Sequence, residues 1–260
     1  LKLFSLKVGE SLKGNLTILN KNVDGKFRYI SNKIENFVRL LKLPDIKGKL
    51  NFNLDLSGKI NNIISNGKIG LENGLYLKQE FSLNSNFNYK DKKLSFGNLA
   101  LYFPEGKIYS YGKIGIADST IDFTGEIKDV NLTRIAFLEN CGGIVKGKFY
   151  LRGNLYSPKL SILSDTYNFK LNKLLFDKVD LDLTVFFSNF IRVVFNSFKI
   201  NTHSGIISIN KPSEAIVSLA QKNCDFDLFL SLRNIKYSNI LLFGEIRLKG
   251  KTDFDSLNVD

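Results

Sequence analysis

The sequence has almost none of the residues that most often carry out catalysis or bind metal ions. It contains one histidine, two cysteines, four prolines, no methionine and no tryptophan. The histidine, His203, lies in the turn-like segment NTHSG, without a serine or cysteine context that suggests nucleophilic catalysis. Zinc and similar sites need several His or Cys ligands, which this chain does not have. We therefore expect no catalytic residues, no metal and no cofactor, and that the chain is not an enzyme.

Acid–base and phosphate-binding motifs are missing as well. Asp122, Asp225 and Asp227 occur where polar and apolar residues alternate, which puts their carboxylates on the polar side of strands. We interpret them as solvated strand residues and not as a paired acid and base. The glycines of GKIGLENG and GGIVKGK precede predicted strands, whereas phosphate-binding glycines precede helices.

Long apolar runs and an initiator methionine are also missing. A membrane-spanning helix needs about 18 or more apolar residues, so none is predicted, and the N-terminus has no signal-peptide pattern. Because the first residues already resemble the middle of a strand, we interpret the chain as a piece of a longer protein. Cys141 and Cys224 belong to no CxxC motif, and either one disulfide or two buried thiols fits their spacing.

The chain is strongly basic, with 37 Lys and Arg against 25 Asp and Glu and a net charge of +12. A basic surface suits anionic lipid headgroups or lipopolysaccharide phosphates. Alternatively, lysine and asparagine are simply the common polar residues of this protein. The lysines are spread over strands and turns instead of forming a tail, which argues against binding to nucleic acid.

The sequence is rich in strand-forming patterns, with 22 Phe and 10 Tyr. In residues 46–58, IKGKLNFNLDLSG, apolar and polar residues alternate, and all the apolar side chains fall on one face of a strand. Related segments begin at residues 145 (VKGKFYLRGNL) and 244 (GEIRLKGKTDF), so the two intervals are equal. This recurrence predicts a repeat protein.

The repeat predicts four segments. Residues 1–34 are the end of a preceding β unit, 35–132 and 133–230 are two complete β-groove units, and 231–260 begin a further unit. Short helices are predicted within 34–45 and 132–140, and strands such as 81–89 and 94–103 are joined by short polar turns. The predicted fold is therefore an all-β, mainly antiparallel repeat with a few short connecting helices.

The apolar strand faces need a cover that so few helices cannot supply, so they pack as a sandwich, close into a barrel or line a groove. An ordinary sandwich core is one interpretation, and a groove that holds acyl chains is the other. Stacked repeats favour the groove, because one apolar trough can continue from unit to unit. The candidate lipid-binding residues are apolar and occupy alternate strand positions: Phe52, Leu54, Leu56, Phe81, Leu83, Phe87, Leu94, Phe96, Leu101, Phe103, Phe149, Leu151, Leu181, Leu183, Val185, Phe187 and Phe195.

The segments occur in a distinctive order: a short helix is followed by I-x-G-x-L-x-x-x-L-x-x-x-G, then GKIGLENG, then NFNYKDKKLSFGNLALYFPEGKIYSYGKI. This order resembles the AsmA-like family, and within it the TamB group associated with translocation and assembly at the outer membrane. The matching positions are the Tyr89–Lys93 turn and a set of glycines: Gly48, Gly58, Gly67, Gly74, Gly106, Gly112, Gly147, Gly153 and Gly205. The resemblance implies an elongated, twisted β-groove shaped like a folded taco.

The resemblance implies a periplasmic protein of a diderm bacterium, anchored to the inner membrane through a segment not present in this chain. It implies that the groove carries phospholipid between the two membranes, with acyl chains and an outer-membrane barrel protein as partners. Lysines near strand ends, namely Lys49, Lys59, Lys68, Lys107 and Lys113, would attract the headgroups. The alternatives are a structural or adhesive β-repeat, an outer-membrane barrel, and a scaffold for outer-membrane protein assembly without lipid transport.

Overall fold

The computed structural model describes residues 10–35, 46–76, 78–135, 141–172, 174–209, 211–218, 223–237 and 240–253. Sixteen strands form a single antiparallel sheet, and the all-β antiparallel fold predicted from the alternating sequence is thereby confirmed. The chain divides into two compact units. The N-terminal unit holds residues 1–125 and 134–139, and the C-terminal unit holds residues 126–133 and 140–260.

The N-terminal unit is a meander in which each strand pairs with the next one along the chain. Its strands are β1 (Glu10–Leu19), β2 (Asn22–Ser31), β3 (Lys47–Lys59), β4 (Asn62–Tyr76), β5 (Gln79–Lys90), β6 (Lys93–Tyr102), β7 (Lys107–Gly115) and the first part of β8 (Thr120–Asn131). Within the unit, strands β1–β2, β3–β4 and β5–β6 are joined by two-residue turns, which only antiparallel neighbours allow.

The C-terminal unit contains the end of β8, a 3-10 helix at Leu132–Arg134, and strands β9 to β16. These are β9 (Cys141–Asn154), β10 (Ser157–Leu171), β11 (Leu174–Phe187), β12 (Ile191–Thr202), β13 (Gly205–Ile209), β14 (Ser213–Ser218), β15 (Asn223–Tyr237) and β16 (Ile240–Asp253). Both β13 and β14 pair with β12 on one side and with β15 on the other. They share one place in the sheet because Pro212, which has no N–H to donate, separates them.

Several local expectations are modified by the structure. Residues 157–171 and 213–218, for which no strands were predicted, form β10 and β14. In the segment 132–140 the described part forms only a 3-10 turn at Leu132–Arg134. The predicted helix within 34–45 falls mostly outside the described residues, and the predicted repeat boundaries stay a prediction. Across the described ranges, no helix has the length and apolar character needed to cross a membrane.

Few apolar side chains in the described ranges are fully buried. They are Val23, Ile34, Leu50, Leu71, Ala100, Val130, Ile135 and Val179. In the N-terminal unit, Ile34, Leu50 and Leu71 form a small cluster, and Tyr29, Ile69 and Leu83 pack around it. The backbone N–H of Ile34 donates to the Gly48 carbonyl at 3.0 Å, which fixes the chain over the start of β3. This end of the strands is therefore covered, while most of the sheet has no enclosed core.

Candidate functional site

One face of the N-terminal unit is apolar from strand to strand. Directly opposed residues of an antiparallel pair point to the same side of the sheet, so the register assigns each residue to a face. Phe52 of β3 lies opposite Tyr29 of β2 and Ile69 of β4, and Leu83 of β5 lies opposite Leu71 and Leu101. The intervening residues, Asn51, Asn53, Asn84 and Asn86 among them, point to the other side.

The C-terminal unit has an apolar face built in the same way. A row of opposed residues runs from Phe149 of β9 through Ile162 of β10 and Leu183 of β11 to Phe195 of β12. The next row is Leu151, Leu160, Val185 and Val193. Within each unit, therefore, the residues predicted from alternation do share one side of the sheet.

All seventeen candidate residues are half-buried, and none is fully buried. In a sandwich, a second sheet would enclose large apolar side chains such as Phe52 or Leu183 completely. Here their partial exposure means that no second layer of described residues closes over the face of either unit. Phe103 differs from the others in position, since it follows β6 and lies in the β6–β7 turn, where its N–H donates to the Gly106 carbonyl at 3.0 Å.

Four phenylalanine rings form a band across the N-terminal unit. The ring centroids of Phe52 and Phe87 are 5.7 Å apart with the planes only 18° from parallel. Phe87 and Phe96 follow at 6.5 Å, and Phe96 and Phe123 at 5.6 Å. Pairs at these separations attract each other beyond simple area burial. Phe123 was not among the predicted residues, although it stands in the alternating segment IDFTGE.

Glycines on the intervening strands let these rings lie close to the backbone of the sheet. A Cβ built on Gly67 of β4 would stand 2.5 Å from Cε1 of Phe87, and one on Gly112 of β7 would stand 2.5 Å from Cγ of Phe123. The rings thus occupy the space that a side chain would take, and the same arrangement recurs at Gly14–Phe27, Gly74–Phe81 and Gly250–Phe226. Alternation alone does not reveal these pairs, because they depend on cross-strand register.

Small side chains fill other places on the same face. Ser65 of β4 lies opposite Leu56 and Tyr89, Ser85 of β5 lies opposite Ile69 and Leu99, and all three serines Ser65, Ser85 and Ser110 are buried beneath larger neighbours. The Ser85 hydroxyl donates to the Asn86 carbonyl at 3.3 Å, which satisfies its hydrogen. Small side chains therefore alternate with large aromatic and aliphatic ones on this face.

A separate cavity of about 500 Å³ lies at the ends of β4, β5 and β6 in the N-terminal unit. Its lining includes Gly74, Phe81, Tyr102, Phe103 and Pro104. Two of the predicted lipid-binding residues, Phe81 and Phe103, therefore meet here.

The opposite face of the C-terminal unit is charged and self-neutralising. Asp165 of β10 lies opposite Asp180 of β11, and the Lys178 ammonium pairs with both carboxylates, at 3.3 Å from Asp165 Oδ1. Burial tends to raise the pKa of Asp180, but hydrogen bonds to Lys178 and Asp165 outweigh burial and hold that pKa below its ordinary value. The Lys178 pKa is raised, chiefly by its hydrogen bond to Asp180. Lys178 and Lys199, which lies opposite Asp180 on β12, offset the two carboxylate charges.

The polar residues that were rejected as catalytic groups are distributed over several strands and turns. His203 lies in the β12–β13 turn with 87% of its side chain exposed, and its Nδ1 is 2.7 Å from Asp177 Oδ1. Asp227 forms two short hydrogen bonds with Arg247 of the neighbouring strand. Cys141 and Cys224 are half-buried free thiols and form no disulfide; burial, aided by Asp225, raises the pKa of Cys224. In the ranges that the structure describes, no three His, Cys, Asp or Glu side chains are grouped for a metal ion.

The lysines expected at strand ends are placed differently by the structure. Only Lys59 and Lys107 are terminal strand residues. Lys68 and Lys113 lie inside β4 and β7, where their opposed residues, such as Asn53 and Ser95, belong to the polar face. Lys49 is paired with Glu72 at 3.4 Å. Alternation predicts the face on which each lysine lies. The distance of each lysine from a turn depends on the lengths of the strands, and the strands are longer than predicted.

The chain was compared with known protein families, curated proteins and solved structures. No family model, no curated protein and no solved structure matches the chain. The functional assignment therefore depends on the geometry of the two apolar faces.

Proposed function

We propose that this chain is a segment of an AsmA/TamB-like cell-envelope protein whose apolar β-face carries phospholipid acyl chains between the inner and outer membranes. The observation that supports the proposal is the half-burial of every candidate residue on both faces. A sheet face that leaves so many Phe, Leu and Val side chains partly in contact with water is typical of a site for an apolar ligand or partner. We place the protein in the periplasm, and its role is non-enzymatic.

The form of the N-terminal face suits a flexible hydrocarbon chain. The Phe52–Phe87–Phe96–Phe123 band lies low because Gly67 and Gly112 make room for the rings. Each methylene removed from water contributes about 0.8 kcal/mol, so even shallow burial of an acyl chain adds up to substantial binding. A flat surface without directional polar groups binds many positions along the chain about equally well, which suits movement along the face.

The headgroup would remain in water while the acyl chains occupy the face. Polar groups lose hydrogen bonds when they are buried without partners, and the face offers almost none. Its serines are buried and, in the case of Ser85, already bonded to the backbone. Lipid would therefore be held through its tails with little selectivity among headgroups.

The experiment that tests the proposal is native mass spectrometry of the 260-residue chain, purified from bacterial membranes and stripped of detergent. We expect bound phospholipid in the unmodified protein and loss of it in Phe87→Asp and Leu183→Asp, which place a charge on the apolar face of each unit. Asn86→Asp is the matched control, because it adds the same charge next to Phe87 but on the polar face.

Circular dichroism on the same samples must show that the variants keep their strand content. If the unmodified protein is folded but carries no lipid, the result contradicts lipid transport and favours a structural repeat or an assembly scaffold. Equal lipid loss in Asn86→Asp would also contradict the proposal, because it would make net charge, and not the apolar face, responsible.

A further inference from the structure

The hairpin turns of the N-terminal unit lie along one end of its strands. We call this end the hairpin edge and define it as residues 18–22, 58–62, 90–93 and 115–119. The turns are tied together in pairs: the Ile60 N–H donates to the Lys21 carbonyl at 2.9 Å, and the Ile116 N–H donates to the Lys92 carbonyl at 2.9 Å. Neighbouring turns are therefore fixed side by side and act as one surface.

Large aliphatic side chains project from this edge. Ile18 is 57% exposed, Leu19 67%, Ile60 56% and Ile116 56%. Turns normally carry Gly, Asn, Asp, Ser or Pro, each of which has a conformational reason to be there. Ile60 and Ile116 occupy turns without such a reason, and Ile18 and Leu19, the last residues of β1, are exposed as well, so all four side chains stabilise the folded chain little. Their side chains are thus available to an apolar partner.

The same edge is basic. It carries Lys21, Lys59, Lys90, Lys92 and Lys93 against Asp91 and Asp118, which gives a local charge of five minus two. None of the five ammonium groups forms an ion pair with another described residue. Asp118 is engaged within its own turn, where its Oδ1 accepts from the Thr120 hydroxyl at 2.7 Å. Asp118 also interacts with the positive charge of Lys93, so the edge keeps a net positive charge of three.

Two of these lysines occupy backbone positions that do not favour lysine. Asn20 and Lys21 have φ values of 49° and 64°, and Asp91 and Lys92 have 50° and 59°. Both turns thus have the two left-handed central residues of a type I′ hairpin, for which Asn or Asp followed by Gly is preferred. The first position agrees with that preference and the second does not, so turn formation does not explain Lys21 or Lys92.

We propose that the hairpin edge docks on the surface of an anionic lipid bilayer. The lysines would contact lipid phosphates, and Ile18, Leu19, Ile60 and Ile116 would enter the boundary between headgroups and acyl chains. Basic side chains combined with apolar ones are the composition of surface-bound membrane segments, and anionic lipid attracts lysines close to the surface. An acidic protein surface would match the charge but not the four projecting aliphatic side chains.

The C-terminal unit carries the same chemistry at its own hairpin turns. Tyr156 in the β9–β10 turn is 83% exposed, and Phe190 in the β11–β12 turn is 45% exposed. Close to these turns, Lys159 lies over the ring of Phe186 at 5.5 Å from its centroid, while Arg192, at 5.9 Å from the same centroid, is paired with Glu214 at 2.8 Å. The combination of exposed apolar and basic side chains is therefore not confined to one set of turns.

Docking by this edge would orient the apolar face of the N-terminal unit. Ile34 covers the start of β3, whereas Ile60 follows its other end. The hairpin edge consequently borders the uncovered part of the face, and a docked unit would present that part to the bilayer. Docking depends only on the side chains and charges of the hairpin edge, and not on lipid transport along the face.

The test is flotation of the complete 260-residue chain with vesicles of phosphatidylcholine alone or with added phosphatidylglycerol. We expect binding only to the anionic vesicles, and weaker binding at high salt. Lys21→Gly/Lys92→Gly should lower vesicle affinity about tenfold while the melting temperature stays the same or rises, because Gly suits both turns. Leu19→Ser/Ile60→Ser/Ile116→Ser should lower affinity as well.

Two controls separate docking from net charge and from stability. Lys21→Arg/Lys92→Arg keeps the charge and should retain binding. Lys68→Gln/Lys113→Gln removes two charges from the polar face of the same unit and should bind like the unmodified protein. Equal binding to neutral vesicles, unchanged binding of both turn variants, or equal loss in the Lys68/Lys113 control would overturn the proposal. Phe87→Asp should still float, so failure of lipid transport and failure of docking are distinguishable.

Discussion

The ring of Phe87 on β5 lies over Gly67 on β4, its directly opposed partner, and fills the space that a side chain at residue 67 would need. Stacking with Phe52 at 5.7 Å and contact with Phe96 at 6.5 Å continue the aromatic surface on either side of the glycine. The ring therefore covers the backbone of β4 at Gly67. The Gly67–Phe87 pair therefore shows in two residues how the proposed lipid-binding face is built.

Adding one methyl group at Gly67 tests this arrangement. Gly67→Ala should lower stability by about 1–3 kcal/mol, because the new Cβ forces the Phe87 ring away from the sheet. Gly97→Ala is the control, since a Cβ there meets nothing within 4 Å, and it should be neutral or stabilising by about 0.5 kcal/mol. Denaturant unfolding gives both values. A Gly67→Ala protein as stable as Gly97→Ala would show that the ring does not need the glycine.

Charges placed at covered and uncovered positions of the same face should have different effects on folding. Leu50→Asp puts a carboxylate where Ile34 and Leu71 leave only 3% of the side chain exposed, and we expect a loss of about 4 kcal/mol or more. Phe87→Asp leaves its carboxylate in contact with water and should cost about 2 kcal/mol or less. Thermal melts followed by circular dichroism measure the difference. Equally severe unfolding of both variants would mean that the face is an enclosed core.

The Asp227–Arg247 pair should make stability depend on pH in the acid range. A hydrogen bond from Arg247 lowers the pKa of Asp227 below its ordinary value of 3.8, against a smaller opposing effect of burial. Because the folded-state pKa is the lower one, the pair contributes stability above about pH 4 and loses it as pH falls through the folded-state pKa.

Melting temperatures measured from about pH 5 down to about pH 2.5 check this relationship. Asp227→Asn should flatten the acid limb of the curve, and Asp55→Asn, which removes an exposed carboxylate of the N-terminal unit, is the control. An acid limb that stays unchanged in Asp227→Asn would show that the β15–β16 ion pair is energetically unimportant.

Alternation predicted the strands well where both faces keep their pattern. The prediction of a strand over residues 81–89 matches β5, which spans Gln79–Lys90, and the turn at Asp91 and Lys92 follows from its polar residues. It failed to predict β10 in full because SPKLSILSDTYNFKL contains several breaks in the alternation. It did not predict β14, which follows Pro212 and which β12 and β15 hold in the sheet.

The face of each residue was predictable, but its neighbours were not. Opposed pairs such as Phe87 with Gly67 and Phe96 depend on register, and the sheet shifts register between Asn86 and Phe87 and between Asp182 and Leu183. A bulge of one residue reassigns every later pair, and local sequence patterns do not specify where it occurs. For this reason the aromatic band and the role of Phe123 became visible only in the structure.

The most direct test of lipid carriage is site-specific photo-crosslinking in bacterial cells, with a benzoylphenylalanine replacing one residue at a time. The sites come in adjacent pairs on opposite faces, Phe87 with Asn86 in β5 and Leu183 with Asp182 in β11. We predict phospholipid adducts at 87 and 183 and none at 86 and 182, detected by mass spectrometry of the purified protein. Adducts at neither apolar site, or equal adducts at both members of each pair, would contradict the account.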